Sequence, residues 1–211
     1  MSKHRRMTGK KKPGKDGENA IAYSVQSVLG NLPHRLYNDV YFEDAAGHPF
    51  QIDHLVLTPM GLLVIETKHW SGLVYGQLQE SQWSYVPRGK GMIKRFYNPV
   101  IQNEKHTVKL RSIFGDDSPI TPCTVFSHPR GEQFITPKVP DQVFTRARFE
   151  AFLAKWRRQS PIMDTDQMEV WHQKIMDTRR TDEGMMGRQR HYAREMRRQR
   201  RARRGAIGYG H

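Results

Sequence analysis

The stretch from residue 50 to residue 68 constrains this chain most. Two strongly apolar segments, 50–57 and 62–68, flank Thr58-Pro59-Met60-Gly61, a compact turn signal. Such a pattern reads as an antiparallel hairpin. Alternate residues of a strand share a face, so Glu66 and Lys68 point with Leu62 and Val64, while Asp53 points with Leu55 and Leu57. A register set by the short turn brings Asp53 across from, or diagonal to, Glu66. An otherwise aliphatic sheet face therefore ends in two carboxylates and a lysine. Strand interiors disfavour aspartate, and burying such acids is costly unless something compensates. Two compensations are open on pattern alone. Lys68 can pair with one acid near the sheet edge. Alternatively, the two carboxylates share a divalent cation, for which magnesium suits because it accepts one or two protein carboxylates and keeps waters.

Around this hairpin the chain reads as alternating helices and strands. Asp16 is a plausible N-cap for a helix reaching Leu29, stopped by Gly30, with Ile21, Val25, Val28 and Leu29 as its buried stripe. Glu18 falls near the same face, above the apolar stripe, although an acid there also satisfies the helix dipole. Strands are expected at 36–42, 50–57, 62–68, 73–78 and 83–86. A helix is expected from Asn98-Pro99 to Gly115, a strand at 121–127, and helices carrying Phe149, Phe152, Leu153 and Trp156 and then Met168, Trp171 and Ile175. The glycines of Gly9-x4-Gly14-Lys15 mimic a phosphate loop, but no strand precedes them and Asp16 stands where the motif needs serine or threonine.

Charge is placed unevenly. The formal net charge is +14, with 35 basic and 21 acidic residues. Residues 1–16 hold seven of the bases and one acid, and residues 188–204 hold nine arginines and one acid, which leaves 19 of each sign elsewhere. A neutral body with basic ends favours polyanions through counterion release, though solvated tails give the same count. One cysteine, Cys123, excludes an internal disulfide framework and a multi-cysteine zinc site. No apolar run is long enough to span a bilayer, and neither basic end has the apolar face of an interfacial helix. A reducing, cytoplasmic setting is expected, with nucleoid association compatible.

Gly17-Glu18-Asn19, Gln51-Ile52-Asp53-His54, the run Gly61 to Lys68, Gly72, Trp83 and Asn98-Pro99-x-x-Gln102-x-x-x-His106 follow one another in the order seen in the nuclease-related domain. That domain is a branch of the PD-(D/E)xK nuclease superfamily, and the chain resembles it over about residues 14–115. The resemblance implies an α/β fold with a restriction-endonuclease-like core, a mixed β-sheet with antiparallel hairpins flanked by helices; C-terminal helices and basic tails are added by the apolar spacing and charge of the remainder, where residues 116–211 match no known pattern. It implies cleavage of nucleic-acid phosphodiesters with Mg²⁺ or Mn²⁺, DNA favoured over RNA. Carried over by position, Asp53 and Glu66 resemble the metal ligands, joined by the main-chain carbonyl of Thr67. Lys68 resembles the water-activating lysine, Glu18 the helix acid and Gln102 the polar residue on the following helix, with His106 a weaker candidate. The superfamily's proline before the aspartate is Ile52 in this chain.

The expected layout is a disordered basic arm at 1–15, a nuclease-like domain at 16–160, a helical extension at 161–187 and an Arg-rich tail at 188–211. Nucleic-acid contacts are expected from Lys10, Lys11, Lys12, Arg188, Arg190, Arg194, Arg197, Arg198, Arg200, Arg201, Arg203 and Arg204, with no stable fold for the tail until phosphates neutralise it. The four tryptophans and Cys123 are expected to pack, and His48 and His54 to solvate or pack. A non-catalytic binder on a nuclease-derived scaffold is the competing reading, because fold does not guarantee activity. The survival of Glu18, Asp53, Glu66 and Lys68 together favours the enzyme.

Overall fold

The computed structural model describes residues 13–89, 91–129 and 141–180, together with 184, 185, 187, 188, 191, 192, 194–196 and 198. Lys10, Lys11, Lys12, Arg190, Arg197, Arg200, Arg201, Arg203 and Arg204 lie outside the described residues.

The 50–68 stretch forms the expected hairpin. Strand β2 (Pro49–Thr58) pairs with β3 (Gly61–Lys68) through the turn that Thr58↔Gly61 closes. The Thr58 hydroxyl donates to the Gly61 carbonyl at 2.9 Å and accepts from the Trp156 indole N–H at 3.1 Å. Gly61 is needed at this turn. Its φ is 116°, and a Cβ there would stand 2.3 Å from the Pro119 carbonyl oxygen. Strand β1 (Arg35–Glu43) pairs antiparallel on the outer side of β2.

Helix α1 (Pro13–Leu29) precedes this meander, the small strands β4 (Gly72–Tyr75), β5 (Gln82–Pro87) and β6 (Lys94–Tyr97) follow it, and α2 (Pro99–Phe114) crosses over to β7 (Ile120–Phe126). Strand β7 lies parallel to β3, which the intervening helix permits. Strand β8 (Val143–Thr145) adds to β7, giving the order β1-β2-β3-β7-β8. Helices α3 (Arg146–Trp156) and α4 (Thr165–Thr178) complete the fold. The result is α/β with one mixed five-stranded sheet and one antiparallel three-stranded sheet, as the sequence suggests.

Each face of the large sheet has its own core. Leu55, Leu57, Leu62 and Val64 pack with Leu110 of α2 and Met168 and Ile175 of α4. Val56, Leu63, Ile65 and Cys123 pack with Ile21, Val25 and Leu29 of α1 and Phe149, Leu153 and Trp156 of α3. Each fully buried aliphatic side chain contributes about 1.5–3 kcal/mol, so the centre of the hairpin is the most strongly held part of the molecule. The extension helix α4 thus covers the same sheet as the domain before it. Burial pushes the Cys123 thiol upward, in keeping with an inert packing role.

Three expectations change. Helix α1 begins at Pro13, so Lys15 and Asp16 stand inside its first turn and Asp16 is not the cap. Strand β4 stops at Tyr75, before Gly76, where an added Cβ would meet the Trp83 indole, and the short strands β6 and β8 carry too little periodicity to read in advance. The described residues between 184 and 198 are helical although the tail was expected to lack a fold. The reason is local: Met185 is fully buried, Arg188 pairs with Glu43 at 3.1 Å, and Tyr192 stacks on His48. The body's own acid neutralises part of the tail.

Candidate active site

The β2–β3 ladder ends at His54↔Ile65. The next position on that register sets Asp53 opposite Glu66, where the strands splay. Beyond the splay, the Thr67 N–H donates to the Asp53 carboxylate (Oδ2) at 2.8 Å instead of to a neighbouring strand. The Lys68 ammonium donates to Glu66 Oε1. Glu66 is buried, while Asp53 and Lys68 are partly so.

Asp53 also marks a slip in the strands. Tyr37 and Leu55 share the α4-side core with Val40, Ile52, Phe42 and Phe50. Strict alternation cannot place 37 and 40, or 52 and 55, on one face. The slip falls at Asp39 and Asp53, which stand opposite each other between the pairs Asn38↔His54 and Val40↔Ile52. Asp39 absorbs it with φ 52°, a left-handed conformation that aspartate tolerates better than most residues. This departs from the expectation that Asp53 continues the face of Leu55 and Leu57 without a break. It takes the acid out of the aliphatic row.

Helix α1 brings Glu18 over the same region. Gly17 makes this possible, since a Cβ there would stand 2.5 Å from both the His69 Cβ and the Ser127 hydroxyl. The helix therefore touches the ends of β3 and β7 directly. Lys15 donates to Asp39 and lies 3.8 Å from Glu18 Oε2.

The electrostatics tie these groups together. Burial, reinforced by the charges of Glu66 and Glu18, raises Asp53 to about 8 against the opposing pull of the Thr67 N–H and Lys68. Burial and then Asp39 raise Glu18, with Glu66 adding to the shift and Lys15 opposing it. Burial pulls Lys68 down, but Glu66 and Asp53 together more than reverse it, so its ammonium stays protonated above the ordinary lysine range. A lysine held this way acts as a positioned cation, one of the two ways such a lysine can serve an attacking water.

Helix α2 closes the other side. Asn98, fully buried, caps it by accepting from the Val100 N–H at 2.9 Å and ties it to the small sheet by donating to the Glu80 carbonyl at 2.8 Å. Asn103 bridges the Val64 and Cys123 carbonyls at 2.9 and 3.0 Å. Gln102 is half-buried one turn before His106. Burial lowers His106, which feels Glu66 and Lys68 and whose Nδ1 has no hydrogen-bond partner.

The structure thus brings Glu18, Asp53, Glu66 and Lys68 into mutual electrostatic reach. Among the described residues, no three His, Cys, Asp or Glu side chains form a ready metal cage. The oxygen donors on offer are the two carboxylates and main-chain carbonyls. Arg188 is paired within the molecule, while Arg194 and Arg198 are exposed. Sequence reasoning passes over Asp39, although an Asn-Asp pair inside a strand of aromatic and apolar residues is a signal of irregularity. It also undervalues His54. That ring is buried, donates from Nδ1 to the Asn38 side-chain oxygen at 2.7 Å, and is lowered to about 4 by burial.

The nuclease-related domain family matches residues 13–127, more than half of the chain, and the chain belongs to that family. The family's description agrees with the superfamily that the motif order suggests. A protein of Bacillus anthracis described as uncharacterized is 28% identical over 120 residues, which are 56% of this chain and 53% of the relative. The chain spans about half the length of that curated relative. No solved structure shows a significant match. Among the described residues no helix is long and apolar enough to cross a membrane.

Proposed function

We propose that the chain is a metal-dependent nuclease that hydrolyses phosphodiester bonds of nucleic acid, DNA before RNA, with Asp53, Glu66 and the Thr67 carbonyl holding Mg²⁺ or Mn²⁺. One observation carries the proposal: Asp53, Glu66 and Lys68 meet at the splayed end of β2 and β3, with Glu18 in electrostatic reach. The donor chemistry fits a hard divalent ion. Both side chains offer oxygen, and the raised Asp53 reports a site that resists a second negative charge without a compensating positive one.

When bound, such an ion supplies positive charge to the phosphate oxygens as they gain negative charge. The chain's own residues do the rest. The Thr67 N–H holds the Asp53 carboxylate in place. Glu66 aims the Lys68 ammonium, which stays protonated and serves as a fixed donor to a phosphate oxygen or to the attacking water. Glu18, with its raised proton affinity, suits the group that accepts the proton the water gives up. Gln102 offers an amide from α2 to orient the strand. The exposed arginines of the tail add affinity without sequence reading.

Incubation of circular, linear duplex and single-stranded DNA with a Mg²⁺ or Mn²⁺ titration tests the proposal. Metal-dependent nicking that a chelator stops and that Asp53→Ala loses is the expected result. Binding without cleavage by the wild-type protein returns the non-catalytic reading, and cleavage that survives Asp53→Ala overturns the site.

A further inference from the structure

The small sheet β4-β5-β6 has two unlike faces. Its inner face carries Val74, Trp83 and Phe96, which pack with Trp70, Val100, Phe126 and Val143 against the carboxyl ends of the large sheet. Its outer face carries residues that pair directly across the strands: Leu73 with Val86, Tyr75 with Ser84 and Ser84 with Arg95, and Gln82 with Tyr97. Leu73 and Tyr75 are 39% and 43% exposed, and Arg95 is exposed beside them. At the rim, Lys105 of α2 lies over the Tyr97 ring, 5.3 Å from its centroid.

The charge of this unit has one sign. Residues 70–97 contain Arg88, Lys90, Lys94 and Arg95 against the single acid Glu80. The sheet also follows the candidate site closely along the chain: only residues 69–71 separate Lys68 from the first residue of β4.

We propose that the outer face of this sheet is a platform for single-stranded nucleic acid, with Tyr75 stacking on bases and Arg95 meeting the phosphate backbone. The proposal rests on the nuclease reading and names the form of strand that the enzyme handles. A duplex shows phosphates to the outside and keeps its bases stacked within. Aromatic and apolar side chains set among cations gain contact from bases only when these are unpaired. Charge alone recruits either form, so the exposed tyrosine and leucine decide for the single strand. The packed inner face keeps the platform rigid, and only three residues of chain tie it to Lys68.

Fluorescence anisotropy of the full-length chain in chelator, with a labelled strand of about 20 nucleotides and a blunt duplex of the same sequence, tests this. Tyr75→Ala is expected to weaken the single strand about tenfold, Tyr75→Phe to retain it, and both to leave the duplex within about twofold. Circular dichroism melts confirm that the exposed substitutions leave the fold intact. Equal losses on strand and duplex, no loss on either, or no binding of the strand by the wild-type protein overturns the platform. Cleavage with Mg²⁺ by the wild-type and Asp53→Ala proteins, run alongside, reports the nuclease reading separately. Selective loss of the strand in Tyr75→Ala with no cleavage by the wild type sinks the nuclease and keeps the platform. Asp53-dependent cleavage with unchanged strand binding in Tyr75→Ala sinks the platform alone.

Discussion

The five-stranded sheet is covered by helices on both faces, α2 and α4 on one and α1 and α3 on the other, whereas the three-stranded sheet packs one face and leaves the other to solvent. The difference decides what a charge means in each. In the large sheet Asp53, Glu66 and Lys68 sit where ionisation is penalised, so each must be held by a partner or a ligand. In the small sheet Arg95 and Lys94 stand in water, where a charge is nearly neutral for stability and is informative about partners only. One sheet concentrates chemistry and the other offers contact area.

The sharpest way to break the contrast is at Asp53. Asp53→Ala is expected to lower cleavage by about a thousandfold or more, the scale of lost electrostatic stabilisation at a reacting centre, with little change in thermal midpoint. A turnover assay paired with a calorimetric scan checks both halves. In the small sheet the largest effect belongs to the fully buried Trp83, whose indole N–H donates to the Gln77 carbonyl at 2.8 Å. Trp83→Ala should destabilise by about 3–5 kcal/mol. Hydrogen exchange should then accelerate across 72–97 while the β2–β3 amides stay protected; uniform acceleration would mean that the two sheets melt as one unit.

Two glycines of α1 sharpen the comparison further. Gly17→Ala places a methyl against His69 and Ser127, pushing the helix and Glu18 away from the site, at about 1–3 kcal/mol and about a tenfold loss of cleavage. Gly14→Ala meets nothing closer than Glu18 Oε1 at 3.6 Å and is expected to stabilise the helix by about 0.5–1 kcal/mol. Equal outcomes at the two positions would show that α1 does not need its close approach.

The most gradual effect is in pH. Asp53 is raised to about 8, so in chelator the folded state keeps a proton that the unfolded chain has released, and stability falls between about pH 4 and 8. His54 is lowered to about 4, so its contribution has the opposite sign, with stability rising between about pH 4 and 6.5. The two oppose each other below pH 6.5, which leaves a net loss from about 6.5 to 8, at most about 1.4 kcal/mol per pH unit. Asp53→Asn should flatten that limb in a series of thermal melts, and a slope retained in the variant would assign it to another group.

The hairpin, the helix 99–114 and the apolar stripes of α1, α3 and α4 were legible because their periodicity is strong and their caps are explicit, as at Asn98-Pro99. The order of Glu18, Asp53, Glu66 and Lys68 was legible because charges amid aliphatic strands are rare. Three things were not. The slip at Asp39 depends on a backbone angle that no spacing announces. The parallel pairing of β3 with β7 depends on where α2 packs, through Asn103 to two carbonyls. The helical state of the described residues between 184 and 198 depends on Glu43, which lies 145 residues before Arg188 in the chain.

The two edges of β3 are satisfied at very different moments of synthesis. Its β2 edge closes across a tight turn, but its β7 edge waits until residues 120–126 have left the ribosome, well after Lys68. Until then the central strand is an open edge and α1 has no β7 terminus to lean on through Gly17. Glu18 therefore joins Asp53, Glu66 and Lys68 late, so a nascent chain carries most of its charged cluster long before the helix acid is seated over it.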